Sequence, residues 1–174
     1  MANYYTSFCT KLEMSEAAFQ YLAALDAAVL AVEEGEDPAE ETSPEIVDIA
    51  EQIHGERERS SGCSMTYGEG FVVIKDEDCP SLDVLADILH ATMKAFEIKS
   101  PFVIQYADWC DKHLVDGFGG GVMVVTADRI HGMSTYEWAS GFVAKLAGEI
   151  SPVQDGPAAL GVVIGGGTVP VSKI

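Results

Sequence analysis

The chain has 174 residues, 28 of them acidic and 10 basic, and its formal net charge at pH 7 is −18. This length fits a single domain that buries roughly two-thirds of its unfolded surface. The negative charge repels phosphates and anionic membranes, so we expect no direct binding to nucleic acid or to a membrane, whereas a basic protein is attracted. A simpler interpretation is that the charge keeps a small protein soluble and monomeric.

Cysteine spacing and hydropathy favour a cytoplasmic protein with reduced thiols. The four cysteines form no Cys-x-x-Cys pair. The N-terminal residues lack the basic and apolar regions of a signal peptide, and no apolar run approaches the roughly 18 residues of a membrane span. No residue pattern indicates a cofactor or a bound metal.

A strand and a long helix open the chain. Alternating side chains over residues 4–12 favour a strand, and Ser15 then offers an N-cap for a helix that extends to about Glu34. Seven alanines in this helix favour close packing against a sheet.

An acidic segment follows the first helix. Between residues 33 and 58 eleven acids are opposed by Arg57 alone. Ser43 and Pro44 predict the start of a short amphipathic helix, and we interpret residues 35–60 as an acidic helical insertion. The carboxylates that we expect to contact a basic partner are Glu36, Asp37, Glu40, Glu41, Glu45, Asp48 and Glu51.

A hairpin and a second amphipathic helix come next. The runs 63–67 and 71–75 flank a short glycine-bearing loop, which is typical of two antiparallel strands. Ser81 is the expected N-cap of a helix that extends to residue 98, with leucines recurring at three- and four-residue intervals.

Two strands and a capped helix close the ordered part. The runs 102–109 and 121–127 are rich in β-branched residues, and the second is apolar on both alternating faces, which predicts burial on both sides. Ser134 and Glu137 form a capping box at the start of a helix over 134–148.

This order predicts an α+β domain over residues 1–150. We expect an antiparallel sheet of about five strands with helices packed on one face, in the ferredoxin-like β-α-β-β-α-β order with an added strand and helix. The other face would be open to water, a further helix or a partner. Residues 151–174 are rich in Gly, Pro and Val and predict a loose tail, or one weak strand over 160–164.

The densest cluster of reactive side chains lies after the fourth strand, at Asp108, Trp109, Cys110 and His113. A cysteine nucleophile needs a histidine held by a third group, and a zinc site needs three or four ligands. Among the cysteines and histidines of the chain, only Cys110 and His113 are close to each other in sequence. A half-buried thiol beside a polar loop is therefore the favoured interpretation, and a small-ligand site is the alternative.

Glycines and aromatic residues surround the same region. The triple glycine at 119–121 precedes a strand, which favours a hairpin or bulge over a phosphate-binding loop. The nearby aromatic side chains predict core and hydrophobic-staple packing, with a recognition patch as the alternative. They are Tyr106, Trp109, Phe118, Tyr136 and Trp138.

The pattern Ala-x-Trp-Cys, Phe-Gly-Gly-Gly and Thr-Ala-Asp resembles a family of small uncharacterised proteins of bacteria and their phages. Its positions here are Ala107, Trp109, Cys110, Asp116, 118–121, 126–128 and Trp138, and residues 2–6 are similar too. The resemblance covers roughly residues 2–140. It implies a compact α+β domain and a phage or mobile-element origin, and it brings no catalytic residue.

Three functions remain open on these residues. The first is a non-enzymatic protein whose acidic surface engages a basic, nucleic-acid-binding partner, as an inhibitor or a nucleic-acid mimic. The second is an enzyme or small-ligand-binding protein that uses residues 108–116. The third is a homo-oligomeric structural protein assembled through sheet edges or the C-terminal tail.

Overall fold

The structure, a computed structural model, describes residues 3–76, 80–112 and 118–149, and these form six strands and four helices. The elements are β1 (Tyr4–Glu13), α1 (Glu16–Glu34), α2 (Pro44–Arg57), β2 (Ser64–Gly68), β3 (Phe71–Asp76), α3 (Leu82–Ala95), β4 (Phe102–Cys110), β5 (Phe118–Val125), β6 (Ile130–Ser134) and α4 (Thr135–Glu149). The chain divides into two compact units, residues 1–138 and 139–174. The sheet and the helices α1 to α3 belong to the first unit.

The strands form one antiparallel sheet in the order β2-β3-β1-β4-β5-β6. Strand β1 lies inside it, because Phe8 pairs with Asp76 of β3 and with Tyr106 of β4. Successive side chains of a strand point to opposite faces. Phe8 is accordingly buried, whereas its neighbour Cys9 is exposed.

Helices α1 and α3 pack on one face of the sheet, α2 packs on these two helices, and together they enclose the core. The largest fully buried side chains include Leu22, Leu25, Ile74, Leu85, Ile88, Leu89, Met93 and Ile104. Each such side chain contributes about 1.5–3 kcal/mol through removal from water. The acidic helix α2 takes part in this core, since Ile46, Ala50 and Ile53 are buried.

The predicted class is confirmed, because the described residues form a mixed α+β fold with one antiparallel sheet. The sheet has six strands rather than about five, and the unexpected one is β6. This strand pairs with β5 from Val125↔Ile130 to Gly121↔Ser134. The expected weak strand over 160–164 lies outside the described residues.

Strand β5 differs from its prediction in two respects. It begins at Phe118 rather than at residue 121, because the three glycines pair in register with residues 106–108 of β4. The glycines therefore lie within a strand pair and not in a phosphate-binding turn. The expected burial on both faces is wrong, since Met123 and Val125 are buried but the alternating Val122 and Val124 are only half-buried.

Helix caps follow the sequence closely. The Ser15 hydroxyl accepts from the Ala18 amide at 3.2 Å, and the Ser43 hydroxyl accepts from the Ile46 amide at 3.4 Å. The predicted capping box of Ser134 and Glu137 is also present. Such local hydrogen bonds fix where α1 and α2 begin.

The capping box at the start of α4 joins Ser134 and Glu137 in both directions. The Ser134 amide donates to Glu137 Oε2 at 3.0 Å, and the Glu137 amide donates to the Ser134 hydroxyl at 3.1 Å. These hydrogen bonds lower the pKa of the Glu137 carboxyl, the backbone donor having the larger effect. Ser81, by contrast, holds the N-cap position of α3 without a side-chain cap bond.

Candidate functional site

The acidic segment, residues 35–60, presents its carboxylates to solvent. All seven residues expected to contact a partner are exposed, and none forms an ion pair with a described residue. They divide between the connection before α2 and the outward surface of α2 itself. The buried residues Ile46, Ala50 and Ile53 occupy the opposite side of this helix.

Of the two arginines in the acidic segment, Arg57 points inward and Arg59 is exposed. Arg57 donates through Nε to Asp87 Oδ2 of α3 at 2.8 Å, and its Nη1 lies 3.8 Å from Asp83 Oδ2. These contacts tie the C-terminal end of α2 to α3. Because Arg57 is occupied by acids of α3, it does not neutralise the outward carboxylates of α2.

The segment is also held at its end. The Ser60 amide donates to Glu33 Oε2 at 2.8 Å, which joins the residues after α2 to the last turn of α1. With the Ser43 cap at one end and Arg57 at the other, α2 is a fixed scaffold. The backbone that carries these carboxylates is therefore fixed before any partner arrives.

Carboxylate spacing on α2 is regular. Glu45, Asp48 and Glu51 follow at intervals of three residues, which is about 4.5 Å along a helix axis. Phosphates of one DNA strand follow at about 3.4 Å along the duplex axis. Along the axis this spacing is of the same order, but the three carboxylates are spread around the exposed side of α2, with Glu45 on the side that faces α3.

The cysteine cluster is not assembled as a reactive site in the described residues. Strand alternation places Asp108 and Cys110 on the side of the helices and Trp109 on the opposite face, while His113 lies outside the described residues. Cys110 is buried, and its thiol lies 3.7 Å from Asp111 Oδ1. The described residues contain no group of His, Cys, Asp or Glu that could hold a metal ion.

The carboxylates near Cys110 have structural partners. Asp108 accepts from the Thr6 hydroxyl at 2.7 Å, across the β1-β4 pair. Asp111 accepts from the amide and the side-chain nitrogen of Asn3, at 2.9 and 3.0 Å. These hydrogen bonds join the start of β1 to the end of β4, so the two acids have a structural role in the sheet.

The aromatic side chains are placed differently from the predicted core packing. Trp109 is 41% exposed, Phe118 59%, Tyr136 80% and Trp138 60%. Core packing is therefore wrong for these four residues, whereas Tyr106 is half-buried. The alternation of apolar residues along β4 and β5 does not show which face is exposed, because both faces of these strands carry apolar residues.

Three aromatic residues form a row across the face of the sheet away from the helices. Tyr5 of β1 stacks on Trp109 of β4 with ring centroids 4.4 Å apart, and Phe118 of β5 pairs in register with Trp109. The sequence interpretation did not include Tyr5 in this group. Its role depends on the register between β1 and β4, which joins residues about a hundred positions apart.

A buried polar cluster also escaped the sequence interpretation. The Ser61 hydroxyl donates to Asp26 Oδ1 and accepts from the Cys63 amide at 3.2 Å. Burial raises the pKa of Asp26, and the bond from Ser61 opposes that effect. Burial likewise raises the pKa of Cys63 to about 12, so this thiol is protonated at neutral pH and is a poor nucleophile.

A cleft of about 420 Å³ separates α2 from α3 above α1. Its walls include Tyr21, Ile49, Glu56 and Lys94. His90 also lines the cleft, and its Nδ1 lies 2.6 Å from the Thr126 carbonyl oxygen. No nucleophile paired with a base lies among the described residues of this cleft.

Comparisons with protein-family models, curated proteins and solved structures find no match. Among the described helices, none combines the length and the apolar character that crossing a bilayer requires.

Proposed function

We propose that the protein is a non-enzymatic, cytoplasmic binding protein whose acidic segment engages a basic, nucleic-acid-binding protein. The observation that supports this function best is the set of seven exposed carboxylates on and before α2, none of them paired with a described cation. On this proposal the protein acts as a nucleic-acid mimic or inhibitor encoded by a phage or mobile element.

Rigidity of α2 gives the proposal its mechanism. The backbone of a capped and core-anchored helix loses little freedom when a partner binds, which lowers the cost of association. Glu45, Asp48 and Glu51 would occupy positions that phosphates hold in the partner's usual ligand. Binding of this kind is electrostatic, so it is fast at low salt and weakens steeply as salt rises.

An enzyme or ligand-binding function at residues 108–116 has less support. Cys110 is buried, and Asp108 and Asp111 are engaged by Thr6 and Asn3. A catalytic cysteine needs an accessible thiolate near a base. The buried Cys110 thiol does not meet that need.

For the scaffold, we further propose the ferredoxin-like arrangement over residues 4–110. In a split β-α-β unit, the two strands joined by a helical connection have another strand between them. β1 and β2 are joined through α1 and α2, and β3 lies between them in the sheet. This order supports the proposal.

Affinity capture from a bacterial lysate tests the proposed function. The chain is compared with a variant that carries Glu45→Gln, Asp48→Asn and Glu51→Gln. At about 50 mM salt we expect the unchanged chain to retain a nucleic-acid-binding protein, and the neutralised variant to retain about tenfold less. Added duplex DNA should displace the captured protein, because both compete for one basic surface.

A matched control removes the same number of charges elsewhere. Glu69→Gln, Glu97→Gln and Asp128→Asn change three exposed acids outside the acidic segment. This variant should bind as the unchanged chain does. If no nucleic-acid-binding protein is retained at low salt, or if the two variants lose binding equally, the acidic segment is not the contact surface.

A further inference from the structure

The sheet has a second face that the helices α1 to α3 leave uncovered. We call it the open face, and it consists of the alternate strand residues whose side chains point to the same side of the sheet as those of Cys9 and Trp109. Residues whose side chains point to the opposite face, such as Phe8 and Ile104, are buried in the core. The open face is thus a property of the first compact unit alone.

Large apolar side chains are exposed on the open face. Val103 is 42% exposed and Met133 48%, in addition to Trp109 and Phe118. Val73, Val122 and Val124 lie on the same face and are half-buried. Exposed apolar patches of this kind on a soluble domain commonly mark an interaction surface.

Charge on the open face contrasts with the rest of the chain. Among its strand residues the charged ones are Lys11, Lys75 and Glu13, that is, two cations and one anion. The whole chain carries 28 acids against 10 basic residues. The open face is therefore a region of strand surface where two copies of this chain can approach with little mutual repulsion.

The size of the open face suits a stable dimer. Six strands spaced by about 4.8 Å span roughly 25 Å, and strands of five to ten residues are about 17–33 Å long. The projected area is on the order of 600 Å², and the accessible area of a side-chain-covered face is larger still. Standard protein interfaces bury about 800 Å² on each partner.

We propose that two copies of the chain associate through their open faces. A basic partner gains little from a surface with more lysine than glutamate, so the open face and the acidic segment select different partners. Face-to-face sheets pack about 10 Å apart and exclude water from their side chains. A two-fold interface also lets Lys11 of one copy lie near Glu13 of the other, since the two residues share a face in each copy.

Alkylation of Cys9 provides the test in the unchanged chain. Cys9 is exposed on the open face, whereas Cys110 is buried and Cys63 is protonated at neutral pH, and mass spectrometry of peptides resolves each thiol. We expect the mass in solution to rise to twice the 18.6 kDa of one chain as concentration increases. Over the same range Cys9 should react about tenfold more slowly, by mass action.

A charge placed on the open face should prevent both dimerisation and the slower alkylation of Cys9. Val103→Lys is compared with Leu30→Lys, which changes an equally exposed residue of α1, 44% against 42% exposed. Val103→Lys should stay monomeric with rapid Cys9 alkylation at all concentrations, while Leu30→Lys should dimerise. Thermal unfolding of both variants checks that each is folded.

Three outcomes would overturn the proposal. The first is a monomeric mass with rapid Cys9 alkylation at every concentration, which means a free face. The second is a monomeric mass with slow alkylation throughout, which means that the chain covers its own face. The third is a dimer that Val103→Lys leaves intact, which places the contact elsewhere.

Discussion

Asp26 is an acid in the alanine-rich helix α1 whose carboxyl group is largely removed from water. Burial raises its pKa, and the hydrogen bond from Ser61 offsets only part of that rise. The folded state therefore prefers the protonated form more than the unfolded state does. The stability from this preference is fully present below the unfolded pKa and is lost as pH rises through the folded pKa.

Replacing Asp26 by Asn should remove this pH dependence. An amide cannot ionise, and its oxygen can still accept from the Ser61 hydroxyl. We expect the free energy of unfolding of Asp26→Asn, relative to the unchanged chain, to increase between pH 4 and pH 7. Urea unfolding at the two pH values measures it.

The control for this prediction is Asp48→Asn, which alters an exposed acid of α2. Its relative stability should move far less between the same pH values. If Asp26→Asn loses stability relative to the unchanged chain as pH rises, then the carboxylate is stabilised in the folded protein and the assignment of burial as the main cause is wrong.

At the scale of elements, β5 depends on a glycine that approaches its neighbour closely. Gly120 has a φ of 143°, and a Cβ built there would collide with the Tyr106 carbonyl oxygen of β4. Gly120→Ala should therefore destabilise the protein by at least about 2 kcal/mol, from a strained backbone and a displaced strand. Thermal or urea unfolding gives the value.

Gly132 of β6 supplies the comparison for Gly120. It has no neighbouring atom within 4 Å of a built Cβ and no positive φ. Gly132→Ala should change the free energy of unfolding by less than about 0.5 kcal/mol. Equal losses for the two substitutions would show that close approach at Gly120 is not the cause.

Helix boundaries could be predicted from sequence because their causes are local. Ser15 and Ser43 act on amides three residues away, and the capping box needs only four consecutive positions. Strand β6 could not be found in this way. Its five residues lack a clear alternation and form a strand through pairing with β5.

The candidate site was predictable only in part, for a related reason. The acidic segment is contiguous in sequence, so its charge is visible without a fold. The row of Tyr5, Trp109 and Phe118 arises from pairing among three strands, and the Asp26 cluster joins α1 to a loop 35 residues away. Strand register and burial determine the aromatic row and the Asp26 cluster, and neither can be predicted from a local sequence pattern.

For the whole molecule, the surplus of negative charge should make stability depend on salt. Like charges in a compact body repel one another, and salt screens that repulsion. We expect Tm to rise with NaCl, by about 2–4 °C for each kcal/mol gained. A thermal melt series from low to high NaCl measures the effect.

The variant Asp48→Asn with Glu51→Gln tests the source of this dependence. Both acids are exposed on α2 within the acidic segment. The variant should melt above the unchanged chain at low salt, and the difference should shrink as NaCl increases. A Tm that stays flat or falls with NaCl would show that charge repulsion does not limit stability.

The central place of β1 has a consequence for synthesis on the ribosome. Thr6 and Asp108, joined by a hydrogen bond across β1 and β4, are 102 positions apart. At about 5–20 residues per second, roughly 5–20 seconds pass between translation of the two. During that interval β1 has no β4 to pair with, so the nascent chain carries an unpaired edge that chaperones or neighbouring polysomal chains can meet first.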